Sequence, residues 1–359
     1  KSPINNDNTY IIFQETSDLP SYKFPDSKKP VSIMLKHSES GKFNKIDSSS
    51  AYNWQQGTKL QWLTNDKFIY NAFENNKYIS KIYDTGNNTF QIIDSPIYDC
   101  YKDGYAVSLN FERLNVLTPD YGYRNHKTVI DFSDNTNDGI FFINLKTNEI
   151  RLLISIQDII DLHKQNSMQN AKHMFNHIMI SPDGNNFIFI HRWFTKNGER
   201  FDSLVSSDIT GTNIKVLADN KIVSHCCWYD NSTVIGYLNN KSYGHTYYKI
   251  DIYSNKTTLL SQELLKYGDG HPSFYKNKML FDSYPDRSRM RHLYVYDIGN
   301  NQIEKIGEFF EPLKYDNEAV YNNETRCDLH PKWSCDGQKI FFDSVHSCRR
   351  SLYSTNFNK

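Results

Sequence analysis

The chain has 359 residues in which 41 Lys+Arg balance 41 Asp+Glu, so it lacks the basic excess of a nucleic-acid-binding protein. No stretch approaches the roughly 18 apolar residues of a membrane span. Only 38% of the residues are hydrophobic, so the core must rest on the 25 Tyr and 22 Phe, set in short β runs.

Taken in chain order, the runs group into units. "YIIFQE" from Tyr10, "VSIMLKHSE" from Val31 and "FNKIDSS" from Phe43 make the first. "LQWLTNDKFIYN" from Leu60, "YISKIYD" and "TFQIID" make the second. "YDCYKDGYAVSLNF" from Tyr98, "GIFFINL" and "EIRLLIS" make the third, with an insert over about 112–138 between its second and third runs. A helical insert over about 155–172, carrying "IQDIIDLHKQN", follows.

The next four units share an opening: "HIMISPDG" from His177, "HCCWYDNS" from His225, "HPSFYKNK" from His271 and "HPKWSCDG" from His330. From His177 to His225, His271 and His330 the intervals are 48, 46 and 59 residues. Each opening leads through a turn into further β runs such as "NFIFIHRW" and "KIFFDS". Four-stranded units repeating every 40 to 50 residues or so describe an all-β fold, a β-propeller. We count seven four-stranded blades in one domain spanning residues 1–359. The last unit has three runs, which predicts that an N-terminal strand completes it and closes the ring.

In a propeller the first strand of each blade lines the central channel. His177, His225, His271 and His330 therefore point at one shared opening, with Lys59 and Ile97 at about the same register in the two preceding units. Asp328 stands two residues before His330, on the same strand face. Imidazole and carboxylate together suit a divalent transition ion, so His271, Asp328 and His330 are candidate metal ligands. A histidine outside that set, such as His225, suits a base, because neutral imidazole accepts a proton readily. His191, Arg192 and Arg200 end or begin neighbouring runs. Asp282, Tyr284, Arg287 and Arg289 lie in one "FDS" turn, and Asp343, His346, Arg349 and Arg350 in its repeat. Asp282 and Asp343 read as turn anchors, whereas clustered arginines favour an anionic substrate. The six cysteines show no CxxC pair or zinc spacing and read as free thiols. No leader segment is visible and the first residue is Lys, which leaves a bacterial cytoplasm and periplasm both open.

"NWQQGTKLQWL" from Asn53, "GHPSF" from Gly270, "DSYPD" from Asp282 and "CDLHPKWSCDG" from Cys327 resemble the oligogalacturonate lyases and related propeller lyases. The resemblance covers most of the chain. It implies a seven-bladed propeller, a divalent metal (manganese, with Zn, Fe or Ca as alternatives), and β-elimination of a uronate in an acidic oligosaccharide or polysaccharide. Residue by residue, it implies metal ligation by His271 and His330, with His225 as base (His177 or Tyr243 next in line) and Arg200 or Arg192 as its arginine partner. It departs at the last blade, where Arg326 and Asp328 stand in place of the Gln and first His of a Gln/His/His set. His177, Arg192, Tyr243, Tyr123, His126, Arg287 and Arg349 are the candidate substrate-binding residues. Of these, Tyr123 and His126 belong, with Tyr121 and Arg124, to the insert expected over the mouth. The reading from another class is a non-catalytic propeller that binds glycan or protein.

Overall fold

The computed structural model describes residues 1–126, 129–219, 222–315 and 324–357. Seven antiparallel sheets follow one another along the chain, each with its strands in sequence order, and they form the blades of a propeller. Blade 1 holds Tyr10–Glu15, Val31–His37 and Phe43–Ser49. Blades 2 to 6 have four strands each and open with Gln61–Trp62, Asp99–Tyr101, Lys172–Ile180, Val223–Trp228 and Ser273–Tyr275. Blade 7 opens with Lys332–Trp333 and has three strands. Among the described residues no N-terminal strand joins this last sheet. Ile4 instead bridges Ile11, at the inner side of blade 1.

Stacked sheets explain the sequence pattern. Side chains alternate across a strand, and each blade is covered on both faces, so the second strands read as unbroken apolar runs. In Asn186–Phe194, Phe187 and Phe189 pack toward blade 3 while Ile188 and Ile190 pack toward blade 5. A separate apolar cluster fills each of the six sequential interfaces, from blades 1 and 2 to blades 6 and 7. The seam between blades 7 and 1 is different. It has a small cluster of Tyr315, Cys327 and Val345 with Tyr22, and hydrogen bonds from Asn8 to Asp336 (2.8 Å) and from Arg350 to the Trp54 carbonyl (3.1 Å).

Short helices stand in two of the connections, at Phe111–Leu117 and Ile156–Leu162. Asn110 caps the helix Phe111–Leu117 by accepting from the amides of Glu112 and Arg113. Arg113, 3% exposed, then ties insert to blade: its Nε meets Asp138 at 2.6 Å, Nη2 the Asp134 carbonyl and Nη1 the His173 carbonyl, both at 2.9 Å. Breaking a buried pair of this kind costs about 3–5 kcal/mol. The second insert holds the helix Ile156–Leu162, with a reciprocal cap between Ser155 and Asp158. All six cysteines are free. Among the described residues, no helix is long and apolar enough to cross a membrane.

His191 is not at the mouth. It is fully buried in blade 4, where its Nε2 lies 2.9 Å from His173 Nδ1 and the rings stack. Burial pulls His173 down to about 4, with Arg113 adding repulsion, and holds His191 well below its usual value. A histidine whose folded pKa is depressed binds fewer protons folded than unfolded, so its stabilisation is lost as pH falls from 6.5 toward 4. We expect denaturant-derived stability to fall between pH 7 and pH 5, with about 2 kcal/mol of the fall due to His173. His173→Gln, which keeps a hydrogen-bonding group but does not titrate, should flatten that slope. Parallel pH profiles for the two proteins would remove the pair from the account.

Candidate functional site

The entries to the inner strands carry the site. Lys59, His177 and His330 have φ of 56°, 51° and 43°, a left-handed kink that non-glycine residues rarely adopt. The shared kink turns the chain before blades 2 and 7 and inside the first strand of blade 4. The four histidines gather at one end of the channel in ring order. Their centroids are 6.3 Å apart for His177 and His225, 3.9 Å for His225 and His271, and 4.2 Å for His271 and His330.

Carboxylates orient three of these strand entries. His225 Nδ1 lies 3.0 Å from Asp269, which also accepts from Ser224 Oγ, leaving Nε2 free. His271 Nδ1 lies 3.0 and 3.1 Å from the two oxygens of Asp282. Asp282 also accepts from the amides of His271 (2.5 Å), Leu329 (3.1 Å) and His330 (3.3 Å), and so reaches across to blade 7. Burial opposes charge on both Asp282 and His271, but their attraction wins: Asp282 is held down at about 2, and His271 is raised. Burial keeps His177 and His330 well below the usual histidine value, hence neutral; nearby cations add to it at His177, and at His330 it outweighs the opposing pull of Asp328 and Asp282.

Asp328 is fully buried. Its Oδ2 accepts from Arg326 Nε at 2.7 Å and its Oδ1 lies 2.9 Å from Arg291 Nη1, while Arg291 Nε meets Glu311 at 2.6 Å. Burial alone would raise this carboxylate; Arg326 and Arg291 hold it far below its ordinary range. One ligand atom from each of His271, Asp328 and His330 lies within 4.8 Å of the others, the spacing of a metal-binding group. The neutral His330 ring and the free Nε2 of His271 fit a transition ion, with Asp282 holding the remote nitrogen as such sites require. The two guanidiniums on Asp328 already balance part of its charge. The donor set fits, in a weakened form.

The other expected residues divide. Arg192, 7% exposed, and Arg200, half-exposed at the rim, share Asp202 at 2.6 and 3.2 Å. Tyr121 of the insert lies edge-on to His177 at 5.1 Å, its carbonyl held by Asn53, so the insert does reach the mouth. Tyr123 does not. It is 1% exposed, stacked on Phe111 at 4.5 Å with its hydroxyl bonded to Asn71, because the insert needs an aromatic core of its own. His126 packs against Phe73 and Tyr78 beside a separate crevice of about 620 Å³. Tyr243, Arg287 and Arg349 are exposed on strand connections and make no contact with the histidines. Sequence reasoning passed over Asp269, though "DGH" at Asp269–His271 repeats "DLH" at Asp328–His330. It also gave no role to Arg291 and Glu311, which carried no local signal.

No protein-family profile matches the chain, and no curated protein matches its sequence. Solved structures do match its fold. An oligogalacturonate lyase in complex with manganese gives a TM-score of 0.66 at 14% identity, over 100% of this chain and 89% of that one. The oligogalacturonate lyase of Vibrio parahaemolyticus gives 0.64 at 11%, over 100% and 89%. A puromycin-hydrolysing peptidase of Mycobacterium tuberculosis gives 0.58 at 10%, over 99% of this chain and 51% of that one. At these identities the likeness establishes the propeller fold, which lyases and peptidases share.

Gly270 makes the closest approach at the site. A Cβ there would stand 1.8 Å from the Asp282 carbonyl oxygen, so an alanine must push His271 away from Asp282. Gly270→Ala is expected to lower stability by about 1–3 kcal/mol, the usual range for overpacking. A melting curve indistinguishable from wild type would show that this strand entry yields freely, against the abutment described.

Proposed function

We propose that the chain is a lyase that cleaves a uronate-containing glycan by β-elimination. The carrying observation is one mouth that holds an Asp-oriented imidazole, a metal-binding group and buried arginines together. His225, its Nδ1 on Asp269 and its Nε2 free, takes the proton from carbon 5 of the uronate as the oxygen at carbon 4 departs. Arg192 and Arg200, aligned by Asp202, supply positive charge where the enolate-like negative charge develops. His177, with Tyr121 against its ring, offers a wall for the sugar. A divalent ion held by His271, Asp328 and His330, manganese first and Zn, Fe or Ca as alternatives, would act as a Lewis acid on the uronate carboxylate. The fold likeness to two oligogalacturonate lyases, one named as a manganese complex, supports this reading.

A second reading is a non-catalytic propeller that binds acidic glycan. What favours it is the pair of arginines on Asp328, which compete with a metal for the same oxygens.

Two outcomes follow. Manganese at a hundredfold excess over its Kd should stabilise the wild type by about 2.7 kcal/mol. His330→Ala should lose that increment; equal manganese-dependent shifts in both proteins would remove His330 from the metal site. On uronate oligosaccharides, His225→Ala should lower formation of the unsaturated product by at least about 10²-fold while glycan binding survives. Undiminished cleavage in that variant would move the base elsewhere.

A further inference from the structure

We propose that Arg326 receives the carboxylate of the acidic glycan directly, so that the site recognises its ligand without a metal ion. This rests on the acidic-glycan reading above. Arg326 donates its Nε to Asp328 at 2.7 Å, which leaves Nη1 and Nη2 with no hydrogen-bond partner among the described residues. The guanidinium lies over the Tyr284 ring, 5.6 Å from its centroid, and its side chain is 17% exposed. Stacking on one face and a carboxylate on Nε leave the two-nitrogen edge as the group presented to solvent. That edge matches a carboxylate in bidentate fashion.

The residue is also held in place before any ligand arrives. Gln55 Nε2 and Arg350 Nη2 donate to its carbonyl at 3.1 and 2.8 Å, fixing the backbone from blade 2's approach and from blade 7. Asp328 is in turn clamped by Arg291, itself paired with Glu311. Four charged groups thus alternate in sign from the buried end to the mouth, Glu311, Arg291, Asp328, Arg326, and the last is a cation with an open edge. Preorganisation of this kind strengthens anion binding because no side chain must be ordered at the moment of capture. Asp120 of the insert sits in the field of Arg326 and Arg192, where burial raises its pKa and Arg326 opposes that rise.

The test is calorimetric binding of trigalacturonate, and of its neutral methyl ester, to the full chain with EDTA present and with manganese present. The wild type should bind the acid but not the ester in EDTA. Arg326→Gln should weaken that binding by about ten- to hundredfold, the loss of a charge-assisted hydrogen-bonded contact. Arg326→Lys, which keeps the charge on Asp328 but not the fork, should fall between them, and it stands in if the glutamine variant does not fold. Asp120→Asn, which removes the competing carboxylate, should tighten binding. Acid bound only when manganese is present overturns the proposal and leaves the uronate reading standing. Equal affinity in wild type and both Arg326 variants does the same. Binding under neither condition overturns the two together.

Discussion

A single buried carboxylate organises the mouth of this propeller. Asp282 accepts from the ring and amide of His271 and from the amides of Leu329 and His330, so one side chain fixes the entries to blades 6 and 7 against each other. Fully buried, it would be an expensive anion if any of those donors were missing. Because the donors belong to two blades, satisfying the carboxylate and setting the distance between His271 and His330 are the same event. Gly270 is small for the same reason: the Asp282 backbone lies where its side chain would be.

Around this fixed pair the charges are closely matched. Asp269 serves His225, Asp202 serves Arg192 and Arg200, and Asp328 serves Arg291 and Arg326. The buried guanidiniums of Arg192, Arg291 and Arg326 each have a carboxylate that orients them, which is how ionised groups survive at low dielectric. The consequence for chemistry is that charge is presented rather than neutralised: the aligned groups keep one nitrogen or one edge toward the cavity.

The fold was legible because a propeller writes its period into the chain. Once four histidines fall in register, the ring places them together without further information. Radial distance was less legible. Tyr243, Arg287 and Arg349 lie in connections between second and third strands and are exposed, whereas Tyr284, in the same connection as Arg287, comes within 6.3 and 6.4 Å of the His225 and His271 rings. His191 and Arg192 show the limit set by strand parity: adjacent in sequence, one is sealed inside blade 4 with His173 while the other faces Asp202. Tyr123 turns inward because an insert long enough to reach the mouth also has to build a core. The closing strand was expected from a common way of completing a ring; among the described residues blade 7 has three strands.

Among the described residues, the sparse packing between blades 7 and 1 gives the ring a preferred place to come apart. Six interfaces are held by apolar clusters, and the seventh by a small cluster and scattered hydrogen bonds between the ends of the chain. Subglobal opening follows the least buried boundary, so the ring parts first between blades 7 and 1, as a bracelet opens at its clasp. Blade 7 then stays on blade 6 through their apolar cluster and Asp282, and the four histidines remain together on the opened arc. The integrity of the circle and the spacing of the metal-binding group are therefore separate properties, and the contacts of Gln55 and Trp54 with blade 7 act as the clasp's pin.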